Sequence, residues 1–429
     1  MNRSIVIASG RRTPFCKAGG ALKRDDAARV GAVAARETLA QSGIDAGMLD
    51  EVLLGCVGQP FDQVNIARVV ALRAGVPQHV PAVTLGRNCA SGMEAITAAA
   101  TRILAGRGEL FLAGGVESMS GYPLVFGRDM TDMFERLSRA RSFGQRLAAL
   151  ARFRPWHLKP RIALVEGLTD PTCGLIMGSA VERLAREFGL SREEGDRYAV
   201  ESHTRAAAAR KAGRFEREIA AILPTGARDS LLADDGIREG QTLEAAARLK
   251  PYFEKPDGVV TVGNSSQVTD GACTLLVASE ERARTLGLTP LARIRAFAYA
   301  GLAPARMGLG PVFATALALR EAKCTVSDLG VVELNEAFAH QVLACQRAFA
   351  SDAFAKSELG LGRALGELDP ARLNVNGGAI ALGHPVGASG ARIVLTLAHE
   401  MIARDVELGL ATLCIGGGQG GAVVLERVR

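Results

Sequence analysis

Cys89 lies where nucleophilic chemistry is favoured. It follows a short apolar run of strand length at 81–85 and precedes Ala-rich residues with helical character that reach about Leu104. A cysteine where a helix begins meets free backbone N–H groups and the positive end of the helix dipole, and both favour the thiolate. The small residues at 90–92 leave room for a substrate. We interpret Cys89 as a nucleophile, with a buried structural cysteine as the alternative.

Three later stretches each place a polar or titratable side chain among small residues after a predicted strand, where the sites of α/β folds collect. They are Asn335-Glu336-Ala337-Phe338-Ala339, the run 376–390 with His384, and Cys414-Ile415-Gly416-Gly417-Gly418. The dense glycines let backbone approach a ligand. The alternatives are a helix N-cap for Asn335, a satisfied loop histidine for His384 and a small core residue for Cys414. No GxxxxGK[ST] phosphate loop is present, and no GxGxxG follows the first strand.

Composition limits the classes of protein that fit. The 429 residues are enough for two or three domains, and the net charge of +6 suits anionic partners. No zinc-finger spacing or RNA-binding signature supports nucleic acid as a partner. The 8 cysteines form no CxxC pair, no secretory signal precedes them, and no run reaches the roughly 18 apolar residues of a membrane span. We therefore expect free thiols in the cytoplasm.

The elements that must position these residues alternate between strand and helix, which predicts an α/β fold with a mixed or parallel buried sheet. The alternation occurs twice, interrupted by a helical, basic segment, and resumes at 259–262. The predicted strands are 5–8, 51–57, 81–85, 109–116, 274–278, 292–299, 329–334, 373–375, 410–414 and 422–426. The predicted helices include 25–41, 65–74, 192–212, 311–322, 336–349 and 387–403.

In this order, the motifs make the chain resemble the thiolase superfamily of coenzyme A-dependent acyltransferases over nearly its whole length. The motifs are Arg12-Thr13-Pro14-Phe15, Asn88-Cys89-Ala90-Ser91-Gly92, Gly263-Asn264-Ser265-Ser266 with Asp270-Gly271, Asn335-Glu336-Ala337-Phe338, Gly383-His384-Pro385 and Cys414-Ile415-Gly416-Gly417-Gly418. The resemblance implies two similar βαβ-rich halves in a five-layered αβαβα arrangement. We expect the halves at 1–118 plus 257–279 and at 280–429, with an inserted loop domain at 119–256.

The resemblance also implies catalytic roles. Cys89 matches the nucleophile that becomes acylated, and His384 matches the base that activates it and contributes to an oxyanion hole. Cys414 matches a second acid/base that exchanges a proton with the acetyl methyl group. Asn335 matches a residue that orients a water in the first oxyanion hole. The backbone N–H groups of Cys89 and Gly416 match a second hole. These roles suit a Claisen condensation or its reversal, which needs a nucleophile to hold the acyl group, a base for the α-carbon and two sets of donors for two distinct charges. Cysteine suits the first two tasks.

Contacts to the substrate are implied in the same way. Ser266 matches a residue that contacts the pantetheine arm, and Phe253 matches an aromatic that packs against it. Arg238, ahead of Thr242, matches a residue near the nucleotide end, where a guanidinium suits adenine stacking or a phosphate; a surface arginine is the alternative. Met177 matches a methionine near the acyl thioester.

Two features bear on chain length and partners. Many short-chain relatives have His immediately before the methionine, whereas Ile176 stands there in this chain. The segment 136–160 is similar to the β-subunit of the trifunctional fatty-acid oxidation complex, whose relatives act on longer 3-ketoacyl chains, although several carry His where this chain has Asn335. Such relatives contact an α-subunit or a membrane through this region. A solvated helical face is the alternative.

We therefore expect a thiolase of fatty acid β-oxidation that converts 3-ketoacyl-CoA and CoA to acetyl-CoA and a shortened acyl-CoA, reversibly. Coenzyme A is a substrate, and no metal or other cofactor is expected. A homodimer or homotetramer is expected from the resemblance. The alternatives are a biosynthetic acetoacetyl-CoA thiolase, a 3-ketoacyl synthase, which would lack Cys414, and a non-catalytic lipid-binding relative, which should have lost one of Cys89, His384 and Cys414.

Overall fold

A computed structural model describes residues 3–428 of the chain. The strands are β1 (Ile5–Arg12), β2 (Cys16–Lys17), β3 (Glu51–Gly55), β4 (Ala82–Leu85), β5 (Leu110–Ser118), β6 (Leu124–Val125), β7 (Arg161–Ile162), β8 (Thr269–Ser279), β9 (Ala292–Gly301), β10 (Val331–Leu334), β11 (Leu408–Ile415) and β12 (Gln419–Glu426). The helices are α1 (Ala27–Ser42), α2 (Ile66–Arg73), α3 (Ser91–Leu104), α4 (Arg128–Arg139), α5 (Phe143–Leu150), α6 (Ala163–Gly167), α7 (Met177–Glu187), α8 (Arg192–Lys211), α9 (Leu243–Ala247), α10 (Glu280–Thr285), α11 (Gly310–Ala322), α12 (Ala339–Phe349), α13 (Asp352–Glu358), α14 (Ala379–Leu382) and α15 (Val386–Arg404).

The main sheet has the strand order β10-β11-β12-β9-β1-β8-β5-β3-β4, with β2 beside β8. It is mixed: β3 runs parallel to β4 and β5, and β10 runs parallel to β11, whereas the remaining pairs are antiparallel. Only the residue pairs Val6–Arg293 and Ile7–Ala292 connect β1 to β9. This narrow junction separates the strands β1 to β5 and β8 from the strands β9 to β12.

Helices form three layers around the two half-sheets. The central layer is α3 and α15, which share one core with both halves, for example through Met93 and Val394. On the far side of the first half, α1 and α2 pack through residues such as Val30 and Val70. On the far side of the second half, α11 and α12 pack through residues such as Leu319. The predicted five-layered α/β arrangement is therefore confirmed.

Close contact between α3 and α15 depends on glycine. A Cβ atom at Gly92 would lie 2.8 Å from the carbonyl oxygen of Gly387, and one at Gly390 would lie 2.7 Å from the backbone nitrogen of Met93. Only a residue without a side chain allows backbones to approach so closely. The first turns of the two helices therefore meet, and they bring together the loops that precede them.

Three local predictions are wrong. The run 259–262 is not a strand, because the N–H groups of Val259 and Val260 donate to the buried carboxylate of Glu182 instead of a neighbouring strand, both at 2.9 Å. Residues 373–375 form isolated bridges, since Asn374 has a φ of 46° that interrupts extended backbone. The helix predicted at 336–349 begins at Ala339.

Residues 119–256 carry the short β6–β7 pair and the helices α4 to α9. Among them, α7 and α8 pack against α12 of the second half. The predicted division into two halves and an inserted domain stays a prediction, and its residues 1, 2 and 429 lie outside the described chain. Between residues 3 and 428, no helix combines the length and the apolar character that crossing a bilayer requires.

Candidate active site

Cys89 lies in the turn between β4 and α3, and it is half-buried. The preceding residue, Asn88, has a φ of 43°, a left-handed conformation that turns the chain sharply before the helix. Its side-chain amide donates to the carbonyl oxygen of Gly416 at 2.7 Å. This hydrogen bond ties the Cys89 loop to the glycine-rich turn after β11.

The environment of Cys89 favours the thiol. Burial raises the pKa of Cys89, and the backbone N–H groups of Gly416 and of Cys89 itself act in the opposite direction. The carboxylate of Glu117 raises this pKa further. The expectation that the start of α3 favours the thiolate is therefore wrong for the resting protein, since the helix begins two residues later and desolvation is the larger effect. The sulfur needs a base to become a nucleophile.

His384 is built as such a base. Its Nδ1 atom lies 2.6 Å from the hydroxyl oxygen of Ser389, and that hydroxyl donates to the carbonyl of Pro385 at 3.0 Å. Because the serine proton is directed to the carbonyl, we assign the imidazole proton to Nδ1, which leaves the Nε2 lone pair free. Burial, and then the charge of Arg392, lower the pKa of His384 to about 3, so the ring is neutral. Nε2 has no hydrogen-bond partner in the described chain, Cys89 included.

Asn335 presents an unused amide. Its side chain is buried, and neither Oδ1 nor Nδ2 has a hydrogen-bond partner within the described residues. The alternative reading as a helix N-cap is wrong, because α12 begins at Ala339 and its capping position is Phe338. An unpaired buried polar group costs about 1–3 kcal/mol, so its retention indicates a site for a water or a polar ligand atom. Its backbone N–H donates to Thr412 of β11 at 2.9 Å, which places it beside the strand that carries Cys414.

The loop of Ser266 connects the loops of Asn335 and His384. The N–H of Ser266 donates to the carbonyl of Ala337 at 2.9 Å, and the N–H of His384 donates to the carbonyl of Gln267 at 3.2 Å. Successive residues of one loop thus join the segment that follows Asn335 to the loop that carries His384. Ser266 itself is half-buried at this junction.

Cys414 is the second-last residue of β11 and is buried. Burial raises its pKa well above the ordinary value, and interaction with Cys89 raises it further, so the two thiols are electrostatic neighbours. It packs in an apolar cluster with Met177 and Phe253. The ring of Phe253 also meets that of Phe338 edge-on, with the centroids 6.1 Å apart.

The remaining predicted contacts divide into two groups. Met177, the first residue of α7, lies beside the catalytic turn, because a Cβ atom on Gly416 would be 3.3 Å from its Cε. Arg238 and Thr242 have no described contact with the catalytic residues. The Thr242 hydroxyl caps α9 by accepting from Ala245 at 3.2 Å. The Arg238 side chain is half-buried, and its guanidinium forms no salt bridge with any residue from 3 to 428.

Two buried glutamates that the sequence did not reveal as site residues hold these loops in place. Glu117 accepts from the N–H groups of Val57 and Gly58 at 3.0 and 2.9 Å and of Gly387 at 3.0 Å, so it anchors the first turn of α15 beside Cys89. Glu336 accepts from the hydroxyl of Ser202 at 2.6 Å and fixes the loop that begins at Asn335. Ser389 is a third residue that we did not predict. The two glutamates could have been found from the sequence, because an acidic residue within an apolar run must be buried with hydrogen-bond partners.

A cavity of about 1010 Å³ opens at the sulfur. Cys89, Asn88, Met177 and Gly416 lie at its catalytic end, and the other lining side chains are divided about evenly between apolar residues and polar or charged ones, among them Lys23, Arg24 and Asp62. Of the residues predicted to contact the substrate, Met177 lines the cavity, whereas Ser266, Phe253, Arg238 and Thr242 do not. Within residues 3–428, no group of three His, Cys, Asp or Glu side chains could hold a metal ion.

Two family models cover almost the whole chain. Residues 5–281 match the model described as "Thiolase, N-terminal domain", and residues 288–427 match "Thiolase, C-terminal domain".

Relatives agree over the full length. The chain is 43% identical to an acetyl-CoA acetyltransferase of Pseudomonas aeruginosa, over 99% of this chain and 100% of the relative. It is 38% identical to a 3-ketoacyl-CoA thiolase of Yersinia pestis, over 98% and 96%. Human mitochondrial 3-ketoacyl-CoA thiolase superposes with a TM-score of 0.87 at 36% identity, covering 100% of this chain and 99% of that one. The same human enzyme in complex with CoA gives a TM-score of 0.86, covering 100% and 98% at 36% identity.

Proposed function

The chain belongs to the thiolase family and is an acyltransferase, and we propose that it catalyses the reversible thiolysis of 3-ketoacyl-CoA by CoA in fatty acid β-oxidation. One observation carries the proposal: a neutral histidine with a free Nε2 accompanies two neighbouring thiols, Cys89 and Cys414, in a chain that matches the family from end to end. A 3-ketoacyl synthase is disfavoured by Cys414. A biosynthetic acetoacetyl-CoA thiolase remains the second candidate, since the same groups run the reaction in both directions.

The first half-reaction forms an acyl-enzyme. His384 takes the proton of Cys89 at Nε2, and the thiolate attacks the 3-keto carbon of the substrate. The bond between C2 and C3 then breaks, the acyl group stays on Cys89, and Cys414 donates its proton to C2 of the departing enolate, which leaves as acetyl-CoA. The raised pKa of both thiols is consistent with their being protonated at the start.

The second half-reaction releases the product. The Cys414 thiolate takes the proton of the CoA thiol, and the CoA thiolate attacks the thioester carbonyl. Cys89 leaves as a thiolate and recovers its proton from His384, so all groups return to their starting states. The shortened acyl-CoA departs.

Two oxyanions need separate donors in this scheme. We assign the tetrahedral oxyanion on the acyl carbon to the backbone N–H groups of Cys89 and Gly416, whose effect on the Cys89 pKa supports their being close to the sulfur. We assign the enolate oxygen to His384 and to a water oriented by Asn335, whose amide has no other described partner.

The test is thiolysis of 3-ketoacyl-CoA substrates, followed by loss of the enolate absorbance after addition of CoA. We expect turnover by the wild-type protein, no acyl-enzyme with Cys89→Ala, and some acylation without α-proton exchange with Cys414→Ser. Absence of turnover at every chain length would refute the activity. Radiolabelled acyl group on Cys89→Ala would refute the nucleophile, and unchanged exchange in Cys414→Ser would remove Cys414 from the mechanism.

Coenzyme A is proposed to contact Ser266 and Phe253 through its pantetheine arm and Arg238 and Thr242 near its nucleotide. The Arg238 guanidinium, which forms no salt bridge within residues 3–428, and the position of Phe253 next to Cys414 and Met177 support this path. Arg238→Ala should raise the KM for CoA and leave kcat unaffected, because a distant contact contributes to binding in ground and transition states alike. The proposed chemistry uses CoA as a substrate and needs no further cofactor.

Assembly and location remain predictions: a homodimer or homotetramer in the cytoplasm. The segment 136–160 is proposed to contact an α-subunit or an anionic membrane surface. Residues 136–160 contain seven Lys and Arg residues and no acidic residue, and large apolar side chains such as Phe143 and Trp156 are exposed there, 82% and 64% respectively. Basic and aromatic groups on one surface suit either partner.

A further inference from the structure

The turn between β11 and β12 contains three consecutive glycines, Gly416, Gly417 and Gly418, and the last two have φ values of 89° and 77°. Glycine has the largest conformational freedom of any residue, so such a turn has no preferred orientation of its own. In the proposed reaction, the N–H of Gly416 is one of the donors to the tetrahedral oxyanion. Contacts from outside the turn must therefore fix the orientation of this residue.

Hydrogen bonds from two other segments hold the glycine turn. The N–H of Leu302, just after β9, donates to the carbonyl oxygen of Gly418 at 2.8 Å. The side-chain amide of Asn88 donates to the carbonyl oxygen of Gly416 at 2.7 Å. The first bond anchors the far end of the turn, whereas the second acts on the glycine whose N–H interacts with the sulfur of Cys89.

Asn88 and Cys89 thus contact the same glycine from one loop. The Asn88 amide meets the carbonyl of Gly416, and the sulfur of the next residue meets its N–H, although the two loops are 328 residues apart in the chain. Asn88 has a φ of 43°, in the left-handed region that asparagine adopts more readily than most residues. This backbone conformation lets consecutive side chains both reach the glycine turn.

The other supports of the Cys89 loop do not require the Asn88 side chain. The Ser91 hydroxyl accepts from the N–H of Arg87 at 2.9 Å and donates to the backbone carbonyl of Asn88 at 2.7 Å. The Arg87 guanidinium donates to the Gln419 side chain at 3.1 Å and pairs with Glu94 at 2.6 Å. These contacts remain when the amide is removed, so its effect on the chemistry can be separated from the folding of the loop.

We propose that Asn88 is a positioning residue of this site, whose side-chain amide holds Gly416 so that the N–H of Gly416 stays directed at the acyl carbonyl on Cys89. The inference rests on the proposed acyl-transfer function and adds a residue to which the family resemblance assigned no role. The Gly416 N–H contributes when the oxyanion forms, so the Asn88 contact accelerates acyl transfer and adds little to substrate binding.

The main variant is Asn88→Gly, which removes the amide and adopts the left-handed conformation without strain. We expect kcat for thiolysis, and the single-turnover rate of acylation of Cys89, to fall about 10- to 10²-fold, with KM for the 3-ketoacyl-CoA within about twofold of the wild type. Asn88→Asp is a second variant should the first fail to fold, because it keeps the shape of the side chain and lacks the donor. It should lose at least as much activity.

The matched control is Asn65→Asp. The Asn65 amide also donates to a backbone carbonyl, that of Ala82 at 3.0 Å, and its side-chain oxygen caps α2 by accepting from the N–H of Arg68 at 3.3 Å. The substitution removes the same kind of hydrogen bond and leaves a carboxylate to cap the helix. Both rates should equal those of the wild type.

Alkylation of Cys89 by iodoacetamide separates positioning from a general loosening of the loop. The Gly416 N–H is one of the groups that stabilise the thiolate, whereas the ionisable neighbours Glu117, Tyr122 and Cys414 are unchanged in the glycine variant. Alkylation of this variant should therefore be about tenfold slower than that of the wild type at each pH between about 7 and 9. A loop that had only become mobile would expose the sulfur and be alkylated faster.

The outcomes separate this inference from the function on which it rests. A wild-type protein without thiolysis at any chain length contradicts the thiolase function itself. Wild-type turnover together with an equal kcat in Asn88→Gly leaves the function intact and overturns the positioning role. Slower turnover accompanied by unchanged or faster alkylation overturns it too, as does a loss of equal size in Asn65→Asp.

Discussion

The Ser389 hydroxyl lies 2.6 Å from Nδ1 of His384, and it turns its own proton toward the carbonyl of Pro385. These two contacts at the start of α15, which join His384, Ser389 and Pro385, decide which imidazole nitrogen acts as the base. It also explains how a buried histidine with a pKa of about 3 keeps one orientation, since its other nitrogen has no described partner.

Ser389→Ala should lower kcat for thiolysis about tenfold, because the imidazole loses the hydrogen bond that selects its tautomer, worth about 1–1.5 kcal/mol. Ser389→Thr keeps a hydroxyl and should retain more of the activity. Steady-state thiolysis rates at saturating substrate provide the measurement. Equal kcat values for the wild type and Ser389→Ala would show that the serine does not position the base.

Asn335→Leu should separate stability from activity. The two unpaired amide atoms contribute no hydrogen bond to the described fold, so a similar-sized apolar residue should leave the melting temperature equal or higher. The same change should reduce kcat roughly 10²–10³-fold, the cost of losing one oxyanion donor.

The matched control for this prediction is Asn374→Leu. The Asn374 amide accepts from the N–H of Leu334 at 2.9 Å and donates to its carbonyl at 2.8 Å and to Tyr198 at 3.0 Å. This variant should therefore unfold at a lower temperature. Comparable destabilisation in both variants, measured by calorimetry, would mean that the Asn335 amide has partners in solution.

The reactivity of Cys89 should increase with pH well above neutrality. Burial raises its pKa, and His384 is neutral, so no imidazolium stabilises a thiolate at rest. The rate of Cys89 alkylation by iodoacetamide, measured by mass spectrometry, should rise close to tenfold per unit from about pH 6 to about pH 9. A plateau below pH 7 would indicate a preformed thiolate–imidazolium pair instead.

Arg392→Met should destabilise the protein in a pH-dependent manner. Arg392 is buried and lies 3.1 Å from the carboxylate of Glu333, on the strand that precedes Asn335. Burial raises the pKa of Glu333 to about 8, and Arg392 opposes that shift, so its loss raises the pKa further. A carboxyl whose pKa is raised in the folded state stabilises it fully at low pH and loses that contribution as pH rises through the folded value.

The loss in Arg392→Met should therefore be larger at pH 9 than at pH 5, approaching about 3–5 kcal/mol where the carboxylate is unpaired. Adding Glu333→Gln should remove most of this dependence. Urea unfolding at both pH values checks the prediction. A loss that is the same at pH 5 and pH 9 would contradict an ionisable Glu333 as its cause.

Charge reversal at Arg139, Arg141 and Arg146 should abolish binding to anionic vesicles or to a partner subunit, because residues 136–160 contain seven Lys and Arg residues and no acidic one. Flotation with phosphatidylserine vesicles is the measurement. The control reverses three exposed arginines elsewhere, Arg107, Arg228 and Arg363. Equal behaviour of both triple variants and the wild type would leave a solvated helical face as the explanation.

The sequence by itself determined the elements and the identity of the reacting groups. Apolar runs such as 109–116 predict buried strands because burial on both faces requires continuous apolar sequence, and the structure has a fully buried strand at Leu110–Ser118. Small residues around Cys89 and Cys414 mark where the backbone must admit a substrate. The order of the motifs along the chain indicated the thiolase family, and the resemblance to that family predicted the five-layered arrangement. The strand prediction is wrong where a side chain, and not a neighbouring strand, accepts the backbone hydrogen bonds. Val259 is an example, because its N–H donates to the carboxylate of Glu182.

Only the tertiary structure decided the state and support of the site. Burial raises the pKa of Cys89, and the Ser389 hydroxyl fixes the orientation of the His384 ring. The buried Asn335 amide has no described hydrogen-bond partner. These three properties depend on how the folded chain packs and excludes solvent. The cavity likewise arises from segments more than a hundred residues apart. Local sequence encodes periodicity and residue chemistry, whereas desolvation and long-range hydrogen bonds exist only once the chain has folded.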